Sequence, residues 1–135
     1  MHNEGYSAGE LARLADVNIQ TLRYYERQGL VADPPRTAAG HRRYPESTLV
    51  RVRFIRSARR LGFSLADARA LLELEDAGTQ AEVREQVQHR LDDVERRLLE
   101  LQTMRRGLVQ LLEACHGDGP SSECPILDAL HGEET

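Results

Sequence analysis

The sequence is poor in the residues that build large ligand pockets and membrane spans. It has no Trp, aromatic residues make up 4% of its 135 positions, and no stretch approaches the roughly 18 consecutive apolar residues of a membrane helix. Scarce aromatics argue against a site for a bulky organic ligand. With no apolar span and no signal-peptide pattern, we expect a cytoplasmic protein. Its two cysteines would be reduced there, which favours metal or thiol chemistry over a structural disulfide.

Lysine is also missing, so all 18 basic residues are arginines. Residues 1–70 contain 12 of them against 7 acidic residues, a net charge of +5, whereas residues 71–135 contain 6 against 15, a net charge of −9. The overall charge of −4 therefore hides a basic N-terminal half, as expected of a chain that meets a polyanion at one end. Arginine suits bidentate contacts with phosphate and guanine, although the absence of lysine is also typical of a GC-rich genome.

The most regular pattern is a heptad repeat over residues 79–113, interrupted once where Arg105 takes an apolar slot. It predicts one helix of about 50 Å, whose narrow apolar seam needs a partner because the flanking positions are polar. We expect a coiled-coil homodimer; the alternative is a helix folded back onto its own domain. The seam consists of Val87, Leu91, Val94, Leu98, Leu101, Leu108 and Leu112.

Two short helices joined by a tight turn are predicted near the N-terminus. Ser7 and Glu10 form a capping-box pattern before the first, and Asn18 precedes a second that Gly29 ends. This is a helix-turn-helix pattern, whose second helix suits base edges and phosphates in a major groove, although many short helical hairpins bind nothing. The expected inner face of the first helix is Leu11, Leu14 and Ala15. The expected DNA contacts of the second are Thr21, Arg23, Tyr24 and Tyr25.

A basic segment follows directly. A turn at Ala39 and Gly40 between two polar arms predicts a small β-hairpin, or wing. We expect this wing to grip sugar-phosphate backbone, while the alternative is a loop that is merely solvated. Its candidate DNA-binding residues are Arg36, His41, Arg42, Arg43 and Tyr44.

Two further helices, over residues 46–61 and from residue 65 onward, are predicted to complete a small core. Gly62 separates them, and Ser64 with Asp67 forms a second capping-box pattern. The inward residues are Leu49, Val52, Phe54, Ile55 and Ala58 in the first helix and Leu65, Ala68, Leu71 and Leu72 in the second. The outer arginines of the first helix are either solvated or in contact with phosphate: Arg51, Arg53, Arg56, Arg59 and Arg60.

Together these motifs resemble the MerR family of transcriptional regulators. The resemblance implies a mostly α fold: a winged helix-turn-helix DNA-binding domain, a long antiparallel coiled-coil dimerisation helix, and a short C-terminal metal-binding loop and helix. It also implies a homodimer on a palindromic promoter operator in double-stranded DNA, which represses without effector and admits RNA polymerase when the effector distorts the DNA. The motifs are residues 6–12, 21–30, 42–44 and 61–65. The expected domains are residues 1–75, 76–114 and 115–135.

Two cysteines bracket a loop rich in Gly, Pro and Ser after the long helix. Pro125 suits the first position of a short helix, which places Cys124 at a helix N-terminus where the dipole favours a thiolate. On their own, Cys115 and Cys124 fit metal binding, a redox disulfide or no function. The resemblance to the heavy-metal branch of the family implies a metal site, and His116 or Asp118 could complete a tetrahedral zinc site.

We expect the metal to be Cu(I) or another monovalent coinage ion, Ag(I) or Au(I). In relatives that sense divalent metals, the resemblance implies a third cysteine at the start of the long helix, supplied by the partner subunit; here that position is Gln80. A non-thiol residue there resembles the copper-efflux branch, and soft thiolates favour Cu(I). The alternatives are a divalent metal (Hg, Zn, Cd or Pb), because the eight residues between the thiols also match the mercury branch, and a redox sensor using a Cys115–Cys124 disulfide.

Nothing in the sequence predicts an enzyme. No Ser/His/Asp arrangement, pair of catalytic carboxylates or phosphate-binding Gly loop is present, and the five histidines are scattered. We therefore expect a binding protein.

Overall fold

The computed structural model describes residues 5–132, and these residues are mostly helical. They divide into two compact units, Met1–Val87 and Gln88–Thr135, with the boundary inside the longest helix. The mostly α fold predicted from the sequence is confirmed, and none of the described helices is long and apolar enough to cross a membrane. The helices are α1 (Ala8–Ala15), α2 (Ile19–Arg27), α3 (Glu46–Arg60), α4 (Leu65–Ala77), α5 (Gln80–Ala114) and α6 (Pro125–His131), with a 3-10 turn at Ser121–Glu123.

Local hydrogen bonds set the starts of α1, α2 and α4 as the sequence predicts. The Ser7 hydroxyl oxygen accepts from the Glu10 N–H at 3.1 Å, and the Glu10 carboxylate accepts from the Ser7 N–H at 2.8 Å. Ser64 and Asp67 form the same reciprocal pair before α4. The Asn18 side-chain oxygen accepts from the N–H three residues on, at 2.7 Å. Each pair satisfies backbone donors that a helix start leaves unpaired.

One detail of the predicted helix-turn-helix is wrong. Leu14 was expected to face inward, but its side chain is 42% exposed, while Ala12 is buried. At 100° per residue, Leu11, Ala12 and Ala15 lie on one stripe, and Leu14 lies about 110° from the centre of that stripe. The buried stripe of α1 therefore contains Ala12 in place of Leu14.

The core of the first unit lies where α1, α2, α3 and α4 pack together. The inner faces predicted for α3 and α4 are confirmed, with Phe54, Leu65 and Leu71 only partly buried. Each fully buried Leu, Ile or Val contributes about 1.5–3 kcal/mol relative to an exposed one. The fully buried aliphatic residues are Leu11, Leu22, Leu30, Val31, Val52 and Ile55.

The wing is smaller than the β-hairpin predicted for it. It turns at Gly40, whose φ of 87° suits glycine, and the Thr37 N–H donates to the His41 carbonyl at 2.8 Å. Pro35 and Pro45 flank the segment and lack the N–H that a longer ladder requires. Among the described residues there is consequently no strand, only two isolated antiparallel bridges. The bridges pair Arg36 with Arg42 and Tyr6 with Tyr44.

Glu26 of α2 joins that helix to the wing. Its side chain is 5% exposed and accepts from Arg42 at 3.0 Å, and it also accepts from the Tyr44 hydroxyl. The Tyr44 ring is fully buried. Burial, followed by the hydrogen bond to Glu26, raises the pKa of Tyr44, so its hydroxyl stays protonated and donates. The carboxylate is thus paired on both oxygens, as burial requires.

Helix α5 is one continuous helix of 35 residues, in which no residue is buried. It begins after Thr79, whose hydroxyl oxygen accepts from the Glu82 N–H at 3.2 Å while the Glu82 carboxylate accepts from the Thr79 N–H at 3.0 Å. This capping box is absent from the sequence-based interpretation, although its spacing matches the other two. The predicted seam lies uncovered along the helix, with Leu98 52% exposed.

The Glu26 contact predicts the effect of Tyr44→Phe on stability. The substitution keeps the buried ring and removes one hydrogen bond to a charged acceptor, so the free energy of unfolding should fall by about 1.5–3 kcal/mol. Urea unfolding followed by circular dichroism at fixed protein concentration measures it. A Tyr24→Phe variant, altered at an exposed tyrosine, is the control and should unfold like the wild type. Equal stabilities for all three proteins would contradict the contact.

Candidate nucleic-acid interface and metal site

The outer face of α2 carries the groups expected to meet DNA. Arg23, Tyr24 and Arg27 are exposed and Thr21 is half-buried. The Arg27 guanidinium lies over the Tyr24 ring, 5.8 Å from its centroid, an arrangement that fixes both side chains. Arg27 is a further candidate beyond those predicted from the sequence, because its spacing of four residues from Arg23 puts both on one helix face.

Three arginines line a cleft of about 430 Å³ between α2 and the wing. Arg23 and Arg27 come from α2 and Arg42 from the wing, and Glu26 and Asp33 complete the lining. A concave surface with clustered guanidinium groups concentrates positive potential and attracts a polyanion. The cleft brings the two predicted DNA-binding segments together at one place.

Other wing residues are held by contacts within the first unit. Arg36 donates to the Gly40 carbonyl at 2.8 Å and so braces the turn. Arg43 pairs with Glu10 at 3.5 Å, and His41 is exposed. All three remain at the surface, where they can meet a phosphate backbone.

Two residues predicted to bind DNA are corrected by their burial. The Tyr25 side chain is 7% exposed and Tyr44 is fully buried, so both rings belong to the core of the first unit. The hydroxyl of Tyr44 is already bound to Glu26. Neighbouring letters in the sequence do not distinguish Tyr24, on the outer face of α2, from Tyr25 on its inner face, because that distinction depends on which side the core covers.

The outer arginines of α3 stabilise the first unit, a role beyond the solvation or phosphate contact expected from the sequence. Four of the five donate to backbone carbonyl oxygens, three of which lie near the ends of other helices, where such oxygens lack helical partners. Arg56 makes the fullest contact, because it also pairs with the Asp16 carboxylate at 2.8 Å. The bonds run from Arg51 to Leu30 (2.5 Å), Arg53 to Leu14 (3.3 Å), Arg56 to Asp16 (2.7 Å) and Arg59 to Phe63 (2.8 Å).

The two cysteines of the second unit lie together, with 4.0 Å between their sulfur atoms. Both are free thiols, since a disulfide would require about 2.05 Å. Two sulfurs bound to one ion by bonds of about 2.3 Å lie roughly 3.8 Å apart in a tetrahedral site and roughly 4.6 Å apart in a linear one. The pair Cys115 and Cys124 therefore fits a shared thiophilic ion.

The environment of Cys124 favours its thiolate. It is the N-cap residue of α6, with Pro125 at the first helical position, as predicted. The nearby backbone N–H groups of Leu127, then of Ile126, and the Cys115 thiol lower the pKa of Cys124. Because the thiolate is the form that binds metal, this lowers the proton competition at that ligand.

No third ligand joins this pair within the described part of the chain. Residues 5–132 contain no group of three or more His, Cys, Asp or Glu side chains arranged to hold a metal ion. His116 and Asp118, expected as possible extra ligands, are exposed and do not gather with the two thiols. Gln80 lies at the first position of α5.

Comparison with known proteins relates the chain to one family along most of its length. The pattern of the MerR HTH family regulatory proteins matches residues 6–75, and that of the MerR DNA-binding segment matches residues 49–111. The HTH-type transcriptional regulator ZntR of Escherichia coli K12 is 47% identical over 129 residues, covering 93% of this chain and 92% of ZntR. The mercuric resistance operon regulatory protein of Serratia marcescens is 38% identical, covering 97% and 91%.

Among solved structures, the fold is similar to that of the transcription regulator PbrR691 from Ralstonia metallidurans CH34, crystallised in complex with lead(II). The TM-score is 0.82 at 36% identity, with 91% of this chain and 97% of PbrR691 covered. Because this coverage exceeds the length of the first unit, the similarity extends into both units.

Arg23 and Arg43 should differ in what they contribute to DNA binding. Arg23→Ala should abolish most discrimination between a selected duplex and random DNA if Arg23 reads a base, a contact worth about 1–3 kcal/mol. Arg43→Ala should weaken both complexes about equally, because phosphate contacts carry no sequence information. Fluorescence anisotropy with a duplex selected from a random pool by the wild-type protein measures both. A specificity ratio unchanged by Arg23→Ala would sink its base-reading role.

Proposed function

The chain belongs to the MerR family of helix-turn-helix regulatory proteins, and we propose that it acts as a homodimer that changes transcription when Cys115 and Cys124 bind a thiophilic metal ion. Membership of the family makes it a DNA-binding transcriptional regulator and not an enzyme, and the mercuric resistance regulatory protein among its relatives supports a metal response. The observation that carries the metal proposal is the 4.0 Å separation of two free thiols. It is supported by relatives whose names or titles refer to mercuric resistance and lead(II).

Dimerisation is supported by the state of α5 in the single chain. Its heptad seam is exposed over most of its length, and an isolated helix of mixed composition is only marginally stable in water. A second copy of the same helix covers the seam with matching apolar side chains. A dimer also presents two copies of α2, which suits a palindromic operator.

Within the second unit, the two thiols connect the end of α5 to the start of α6. Cys115 follows the last residue of α5, and Cys124 caps α6. Cys115 and Cys124 would hold the ion, and a bond from each sulfur to it would fix the distance between these two helix ends. We propose that the dimer transmits this change to the two DNA-binding units, which then distort the operator and allow RNA polymerase to use the promoter.

The ligand set supports a monovalent effector. Two thiolates are the expected donors for Cu(I), Ag(I) or Au(I), and the described residues supply no third ligand near them. Gln80 offers no thiol at the position where relatives responding to divalent ions are expected to have one. Cu(I) is therefore our first candidate for the effector.

A divalent effector is the second candidate, and it rests on relatedness. The chain shares 47% identity with ZntR and a similar fold with a lead(II)-bound regulator. Hg(II) can also bind two thiolates, and a further ligand from the partner subunit would complete a site for Zn(II), Cd(II) or Pb(II).

The separation of the two sulfurs supports a third candidate, a redox sensor. Free thiols 4.0 Å apart need to approach by only about 2 Å to form a disulfide. Oxidation to the Cys115–Cys124 disulfide would also fix the ends of α5 and α6, with transfer of two electrons and two protons to an oxidant such as a peroxide.

Transcription in vitro with buffered metal ions separates these candidates. Cu(I) or Ag(I) should activate at much lower free concentration than Zn(II) or Cd(II). Cys115→Ser and Cys124→Ser should abolish activation but leave operator affinity within about twofold, because both cysteines lie outside the basic N-terminal half of the sequence. A His116→Ala variant is the matched control and should respond like the wild type.

The Gln80→Cys variant tests whether residue 80 is the position at which a third thiol would join the metal site. It should extend the response to divalent ions by adding a third sulfur. Activation of the wild type by Zn(II) or Hg(II) with no response to Cu(I) would refute the monovalent assignment, and activation by peroxide in the absence of metal would favour the redox sensor.

Dimerisation is tested at the centre of the seam. Leu98→Glu places a charge at the interface, so the dimer and its DNA affinity should weaken together in analytical ultracentrifugation and anisotropy. His89→Glu adds the same side chain on the opposite side of α5 from Leu91 and should remain dimeric. A Leu98→Glu protein that stays dimeric at micromolar concentration would remove the support for the seam.

A further inference from the structure

Glu26 is a carboxylate in the lining of the positive cleft defined above. The cleft is lined by Arg23, Arg27 and Arg42, the groups that suit phosphate. A fixed negative charge in such a place repels DNA. We therefore expect Glu26 to favour DNA binding in a way that outweighs this repulsion.

The geometry of Glu26 shows what that contribution is. One carboxylate oxygen accepts from Arg42 and the other from the buried hydroxyl of Tyr44. Tyr44 is itself anchored by backbone hydrogen bonds with Tyr6, at 2.7 and 2.8 Å. Glu26 thus connects Arg42 to the core, whereas the backbone of the wing alone holds it by a single isolated bridge.

The guanidinium of Arg42 can bind two groups at once, one along each of two edges. Its side chain is 29% exposed, and a guanidinium carries five N–H donors in a planar fork. Such a group can hold a carboxylate along one edge and a phosphate along another. Asp33 lines the same cleft but forms no ion pair with Arg42 among the described residues.

We propose that Arg42 binds one backbone phosphate of the DNA that meets this cleft, and that Glu26 is the positioning residue that holds Arg42 for this contact. The inference rests on the DNA-binding role of the chain and not on its metal response. It gives an acidic residue a favourable part in binding a polyanion, and it couples the wing to α2 at one phosphate.

A positioning role for Glu26 and simple charge repulsion predict opposite effects of removing Glu26 on DNA affinity. Removing a negative charge beside DNA strengthens binding if the charge merely repels phosphate. If Glu26 positions Arg42, removing it weakens binding and reduces the dependence of affinity on salt, because the slope of log K against log salt reports about 0.9 per phosphate contact.

The experiment measures anisotropy from 50 to 300 mM salt with the metal-free dimer and one duplex selected from a random pool by the wild-type protein. Tyr44→Phe is the reference, since it keeps the pair between Glu26 and Arg42. Glu26→Leu combined with Tyr44→Phe removes the carboxylate without leaving a buried hydroxyl unpaired. Arg42→Ala removes the proposed phosphate contact, and Asp33→Asn removes a cleft charge that forms no ion pair with Arg42. Circular dichroism verifies that each variant is folded at the assay temperature.

The double variant should bind on the order of three- to tenfold more weakly than Tyr44→Phe at 0.1 M salt, with a slope smaller by about 0.9. Arg42→Ala should show the same slope change, and adding it to the double variant should cause no further loss. Asp33→Asn should bind equally or more tightly. The proposal is overturned if the double variant matches or exceeds the affinity of Tyr44→Phe with an unchanged slope, or if Arg42→Ala keeps the wild-type slope.

These results are independent of the metal proposal. A protein that fails to respond to any metal in transcription can still show the Glu26 effect on DNA binding. Conversely, an unchanged salt slope overturns the positioning role and leaves the metal response intact.

Discussion

The exposed apolar seam of α5 is the constraint on which the remaining structure depends. A helix of 35 residues with no buried side chain has little to stabilise it in a single chain, because helices in proteins owe most of their stability to packing. In the proposed dimer, the same contact that stabilises α5 also determines how many DNA-binding units reach the operator. Folding, assembly and DNA recognition are then linked through one surface, which carries almost none of the chemistry of either site.

Features of the chain that depend on neighbouring residues were predictable from the sequence, and those that depend on distant contacts were not. The capping boxes at Ser7 and Ser64 and the long helix follow from spacings of three and four residues. The burial of Tyr44 and the arginine contacts to backbone carbonyls join residues up to 40 positions apart. For the proposed metal site, the sequence correctly predicted that Cys124 precedes a helix, but not the 4.0 Å between its sulfur and that of Cys115, which depends on how the loop between them folds.

Charge separates the two tasks of the molecule. The arginine-lined cleft lies in the unit formed by Met1–Val87, within the basic half of the sequence, while both thiols lie in the acidic half. A phosphate backbone is attracted to the first and repelled by the second, which favours one orientation of encounter.

The wing has a consequence for self-association. Extended hairpins present rows of unpaired backbone groups, which can pair with strands of other molecules. Here the wing is held by two isolated bridges, by the Arg36 contact to Gly40 and by Glu26, so the described residues offer no strand edge of that kind. Two wings can therefore occupy neighbouring positions on one DNA duplex, and crowded copies of the protein can meet, without a backbone template for aggregation.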